Sequence, residues 1–217
     1  MKSACAIGIC LLALLFSACV TGDEITSFVI DQDGSISVAI YRVNLTSNEK
    51  GEKAKEELAG YLKNLREKRD NIFTKFRKAN ATDVKVAVLR KTSPASALIT
   101  CRIPALDDFA AYASEADTDG TLVCKAISNE RTRSLVFEIT QKPNQEKPRT
   151  ESTQSRADSF EETRFALAEG EFTSARGFII SEDKRSALLD MDGLTKMQNS
   201  GTSTITLSLE WQIPQAR

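Results

Sequence analysis

Thr202–Ile213 is strand-like, and from Thr204 to its end polar and apolar side chains alternate without a break. Ile205, Leu207, Leu209 and Trp211 share one face, and Thr206, Ser208, Glu210 and Gln212 share the other. Successive side chains of a strand point to opposite faces of a sheet, so this segment fits a half-buried strand and no helix. Strand-like runs recur at Ile25–Ile30, Ser35–Leu45, Asp83–Lys91, Ala97–Ile103, Thr121–Ile127, Arg131–Thr140, Phe160–Ala168, Phe172–Ile180 and Lys184–Leu189. Turn residues separate many of them. Asp31-Gln32-Asp33-Gly34 supplies a glycine where a hairpin needs positive φ, and Ser93-Pro94 and Ser128-Asn129-Glu130 close other strands.

One stretch follows the other period. Between Glu49 and Ala79, Leu58, Tyr61, Leu62, Leu65, Ile72, Phe73 and Phe76 fall along one side of a helix. Ser47 and Asn48 are its candidate caps, and the polar run Arg66–Asn71 interrupts its stripe, as an exposed turn of helix or a break into two helices. Shorter helices are expected after Pro104, through Asp107, Phe109 and Tyr112, and over Asp192–Gln198. The expected class is therefore α+β, with mostly antiparallel sheets packed against one long amphipathic helix. Gln141–Asp158 carries two prolines and no large apolar residue, which reads as a flexible linker or loop. The organisation expected is a leader over 1–18, an α+β region over 19–140, that linker, and a β-rich region over 159–217 completing the same domain.

The leader fixes location. Lys2 precedes an apolar run from Ala4 to Phe16, which ends in Ser17-Ala18-Cys19. A charged start, a short apolar core and small closing residues describe a signal peptide. The run is shorter than the ~20 residues a spanning helix requires. Ser17, Ala18 and Cys19 resemble the lipobox of bacterial lipoproteins. That resemblance covers the leader alone. It implies that Cys19 receives a diacylglycerol and becomes the first residue of the mature chain, anchored to the cell envelope. It also implies sorting toward an outer membrane where one exists, because Val20 and not Asp follows the cysteine. The alternative is cleavage after Gly22, which would release a soluble protein. Each buried methylene contributes about 0.8 kcal/mol, so several acyl chains hold a domain on a membrane without an apolar patch of its own.

Cys5 and Cys10 belong to the leader, which leaves Cys101 and Cys124 in the body. An even pair in an exported domain is expected to form a disulfide, constraining the unfolded chain by roughly 3 kcal/mol; the alternatives are two buried thiols or a reducing assembly. The chain contains no histidine. That removes Ser-His-Asp and Cys-His catalysis and histidine-containing zinc or copper sites. The net charge of −1 gives no basic excess for nucleic acid.

Three Asp-x-Asp-Gly tracts could supply oxygens to calcium: Asp31–Gly34, Asp117–Gly120 and Asp190–Gly193. Only the second gains a third carboxylate, as Glu115, Asp117 and Asp119, and it lacks a closing Glu, with Ala126 in that place. Turn chemistry accounts for all three equally simply. The basic stretch Lys63–Lys91 could meet anionic head groups through Lys63, Arg66, Arg69, Arg77 and Lys78, or be a solvated helix face. Trp211 is expected in the core. Adjacent acids such as Asp107–Asp108 and Glu161–Glu162 do not by spacing form a catalytic dyad. Lys91, Ser96 and Lys125 lack the companion motifs of a Ser-Lys pair.

These readings favour a non-catalytic lipoprotein without cofactor, held on the membrane through Cys19 and binding or scaffolding an envelope protein. A carboxylate-based hydrolase of envelope glycans and a calcium-stabilised adhesion module are the alternatives.

Overall fold

The computed structural model describes residues 20–117, 120–141, 161–199 and 203–213. The leader, Cys19 and nearly all of the expected linker lie outside them. Among the described residues the fold is α+β, with two sheets, mostly antiparallel, and four helices.

The chain opens with a hairpin of β1 (Val20–Ile30) and β2 (Ile36–Ser47). Its turn is built as the sequence predicts. Gly34 takes φ 88°, the Asp31 amide donates to the Ser35 carbonyl at 2.9 Å, and the Asp33 carboxylate accepts from the Ser35 amide at 2.9 Å.

Of the two readings of the helical stretch, the break is the one formed, giving α1 (Gly51–Arg66) and α2 (Ile72–Lys78). The break falls in the polar run between them. Lys68 adopts φ 56°, which an α-helix cannot continue through, and the Asp70 carboxylate accepts the Ile72 amide at 3.0 Å to start α2. The apolar stripe survives the break, because Leu58, Leu62, Leu65, Phe73 and Phe76 are all buried.

β3 (Thr82–Arg90), β4 (Ala95–Ile103), α3 (Leu106–Ala113), β5 (Glu115–Asp117), β6 (Gly120–Ser128) and β7 (Thr132–Gln141) follow. After the undescribed stretch come β8 (Glu161–Leu167), β9 (Phe172–Arg176), β10 (Phe178–Ile180), β11 (Ser186–Leu189), α4 (Met191–Asn199) and β12 (Thr204–Gln212).

The first sheet has the order β10-β11-β8-β1-β2-β4-β3, with β1 and β8 parallel. The second has the order β5-β6-β7-β12-β9. The segment read as one strand over Phe172–Ile180 is two, and it changes sheet between them. Gly177, at φ 75°, makes that corner, and a Cβ there would run into Leu207.

Inner faces of the sheets meet through aromatic side chains, with Phe165 of β8 and Phe137 of β7 at 6.0 Å between ring centroids. On β12, Ile205, Leu207, Leu209 and Trp211 are buried as the alternation requires, and Trp211 packs edge-on to Phe172 at 6.2 Å. Trp211 is therefore a core residue.

Candidate functional site: an apolar cavity between the sheets

Between the two sheets, with residues of α2, α3 and α4 also on its lining, lies a cavity of about 350 Å³. That volume falls at the low end of the ~300–1,000 Å³ range of small-molecule sites. Its buried lining is Phe28, Phe109, Phe137, Phe165, Leu194 and Leu207. Lys75, Tyr112, Ala113, Leu122, Thr163 and Phe178, all half-buried, are also on the lining.

Each wall has a local cause. Phe28, Phe137, Phe165 and Leu207 stand at inward positions of four different strands. Phe28 stacks obliquely on Phe165 at 5.0 Å and meets the edge of Phe109 at 5.0 Å. Phe165 in turn meets Phe178 at 5.7 Å, edge to face. Such contacts add about 0.5–1.5 kcal/mol each beyond area burial and hold the rings in fixed orientations. Leu194 reaches the cavity because Asp190 starts α4: its carboxylate accepts the Gly193 amide at 2.9 Å, as a capping side chain does.

A second hollow, about 330 Å³, lies on the outer face of the first sheet beside Ser27, Ser37, Ala39, Thr100 and Arg102. It is walled largely by small side chains and one face of a sheet, and it gathers no comparable set of rings.

Residues singled out in the sequence fall elsewhere. Cys19 and Asp119 lie outside the described residues, and Glu115 and Asp117 are described in backbone only, on β5. The disulfide expected between Cys101 and Cys124 is not formed. Both are free, buried thiols, on β4 of the first sheet and β6 of the second. Burial pushes both thiols up to about 12.

The first Asp-x-Asp-Gly tract is a turn whose acids are matched by a cation: Arg102 lies 3.3 Å from Asp31 and 3.2 Å from Asp33. Hydrogen bonds from Ser35, with Arg102 beside them, hold the Asp33 carboxyl below its usual range. The third tract is the α4 cap just described. Among the described residues no three His, Cys, Asp or Glu side chains gather as a metal site.

Other acids are also committed. Arg42 holds Glu24 at 2.9 Å and Asp70 at 2.8 Å and donates to the Tyr61 hydroxyl at 2.9 Å. Burial opposes the charge on Arg42, but Tyr61, Asp70 and Glu24 outweigh it and keep the guanidinium protonated. Lys125 grips Glu138 at 2.9 Å, and Glu162 pairs with Arg164 at 3.0 Å. Asp108 accepts from the Asn80 amide at 2.7 Å. In the basic stretch, Lys63 and Arg69 both face Glu67, at 3.9 and 3.0 Å, and Arg66, Arg77 and Lys78 are exposed.

The sequence reading missed the cavity. Its signal was the abundance of phenylalanine, ten residues against one tryptophan. Those rings sit on segments far apart in the chain, and periodicity within any one segment marks them as core without showing that a hollow remains among them.

No protein-family model matches the chain, and no curated protein matches it. Among solved structures, the chain is similar to the folded domain of the Mycobacterium tuberculosis protein LppM, determined by NMR, with 12% identity and a TM-score of 0.44. The likeness covers 90% of this chain and 93% of that one.

Proposed function

We propose that this is a non-catalytic, lipid-anchored protein of the cell envelope that binds a partner molecule there, and that the cavity between the sheets is its binding site. The observation that carries the reading is the cavity itself: about 350 Å³ left open among fixed aromatic rings. The pocket is partly open to solvent, and its apolar lining stays in contact with water that an apolar ligand would displace.

The leader supplies the location. β1 begins at Val20, the residue after Cys19, so acylation there would hold the domain against the membrane with no intervening tether. The cavity would then lie within one domain's width of the bilayer.

Two measurements test this. Intact mass of the chain extracted from membranes is expected to show Cys19 as the first residue, carrying acyl chains; a mass matching cleavage after Gly22 removes the anchor. Organic extraction of the same purified chain is expected to release an apolar compound in near-stoichiometric amount, or the empty chain is expected to bind a hydrophobic fluorescent dye saturably. If extraction releases nothing and no dye binds, the cavity is not a binding site.

A further inference from the structure

We infer that the tip of the β3–β4 hairpin, with Leu89, Arg90 and Lys91, is a second membrane contact, on which the anchored domain leans against an anionic lipid surface; this rests on the reading that the chain is anchored at Cys19. Sheet register places the tip beside the point where the chain leaves for that anchor. β1 is held on β2 to its first residue. Val20 pairs with Ser47, the Thr21 and Thr46 hydroxyls meet at 3.4 Å, and a Cβ on Gly22 would run into Val43 and Leu45. The chain therefore has no slack between the sheet and Cys19. Further along the same end, Leu45 of β2 pairs with Ala95 of β4, and Ser96 pairs with Arg90 of β3. With the order β1-β2-β4-β3 and about 4.8 Å per strand, the start of β1 and the hairpin tip lie roughly 10–15 Å apart across the sheet.

The tip has the chemistry that an anionic bilayer surface takes. Residues 89–94 are all exposed, Leu89 at 57%. Between the pairs Val88↔Ala97 and Arg90↔Ser96, β3 carries one residue more than β4, and that residue is Leu89. A bulge of this kind takes a side chain out of the ladder. No acid lies between Val84 and Leu106, and among the described residues neither Arg90 nor Lys91 is in an ion pair. Cations so placed are attracted to anionic head groups, and an exposed leucine beside them can enter the interface.

The rest of this end does not compete. At the start of α1, Glu49 and Glu52 are already paired with Lys53 and Lys55, at 2.6 and 2.8 Å. On the other side of β1, beyond β8 and β11, α4 starts with Met191 and brings Asp192 in its first turn. An acyl anchor fixes one point of the domain. A basic, apolar tip on one side of that point and an acid on the other set its tilt.

The test uses the full chain extracted from membranes and reconstituted into phosphatidylcholine vesicles with and without phosphatidylglycerol. A fluorophore is attached through Thr92→Cys at the tip, Met191→Cys at the start of α4, or Gln32→Cys in the β1–β2 turn at the opposite end of the sheet. Flotation of the vesicles reads the anchor. Quenching by nitroxide-labelled head groups reads the contact.

With phosphatidylglycerol present, the fluorophore at position 92 is expected to be quenched, the one at 191 less so, and the one at 32 not at all. Arg90→Glu/Lys91→Glu is expected to lower quenching at position 92 about fivefold, while the chain still floats with the vesicles. If the chain floats but position 92 is quenched no more than 32, or 191 as strongly as 92, the inference falls and the anchor stands. Equal quenching at position 92 without phosphatidylglycerol overturns an anionic surface as the partner. A chain that does not float removes the anchored reading, and the inference with it.

Discussion

Cys101 and Cys124 are thiols that the fold hides from solvent and holds in their protonated form, up to about 12 against an ordinary 9.0. Between pH 9 and 12 the unfolded chain would lose these protons while the folded chain keeps them. The unfolded state then binds fewer protons, so stability falls as pH rises through that window. The Cys101→Ala/Cys124→Ala chain is expected to lose stability less steeply there, read as the difference between the two chains in urea midpoint across the window. An alkylating reagent is expected to leave both cysteines untouched in the folded chain and to modify both once urea unfolds it, without reductant. Failure to react after unfolding would mean a disulfide. Arg42 is the other residue on which a local structure depends, because it draws β1, β2, α1 and the start of α2 together through Glu24, Tyr61 and Asp70. Exposed ion pairs contribute up to about 1 kcal/mol, and breaking fully buried ones costs about 3–5 kcal/mol. With Glu24 and Asp70 only partly covered, Arg42→Met is expected to cost about 2 kcal/mol by urea unfolding.

At the scale of elements, Gly177 decides whether the chain after β9 continues in the second sheet or crosses to the first. It combines φ 75° with close approach to Leu207, whose side chain also lines the cavity. Gly177→Ala would add a Cβ in a region that costs an ordinary residue about 1–2 kcal/mol, and would press on Leu207 as well. A loss of at least that size is expected, together with weaker dye binding in the cavity. Unchanged dye affinity would separate the corner from the cavity. This corner was illegible in the sequence, where Phe172–Ile180 shows one apolar run: strand patterning reports which residues leave water, and not which of two facing sheets receives them. The helix break was half legible for a related reason. The polar run Arg66–Asn71 shows that no core lies beside it, but an exposed turn of helix and a left-handed Lys68 leave the same pattern. By contrast, β12 and the β1–β2 turn were readable, because strict alternation and an Asp-Gly turn each admit one local geometry. The cysteine pair misled because spacing and compartment carry no information about which strands face each other. The cavity could not be read at all, since a hollow is a property of how remote side chains fail to meet.

For the molecule as a whole, the decisive fact is where the last third of the chain goes. β8 lies between β1 and β11 in the first sheet, in parallel register with β1 from Glu24↔Glu161 to Ile30↔Leu167. β12 lies between β7 and β9 in the second, paired with β7 from Thr204↔Thr140 to Gln212↔Thr132. Both are interior strands, and their inward side chains, Phe165 and Leu167 on one and Ile205 to Trp211 on the other, are buried. A chain ended at Gln141 would leave β1 and β7 as open edges with unpaired backbone groups, and would uncover the face on which Phe28, Phe109 and Phe137 sit. Each large apolar side chain returned to water costs about 1.5–3 kcal/mol, and a domain's whole margin is about 5–15 kcal/mol, so losing several such contacts exceeds it. The truncated chain is therefore expected to show no cooperative thermal transition by circular dichroism and to be digested by protease under conditions that spare the full chain. A sharp transition in the fragment would mean that residues 20–141 form a unit of their own, to which the later strands are an addition. In that case the cavity, half of whose buried lining comes from Phe165, Leu194 and Leu207, would be acquired only when the second part docks.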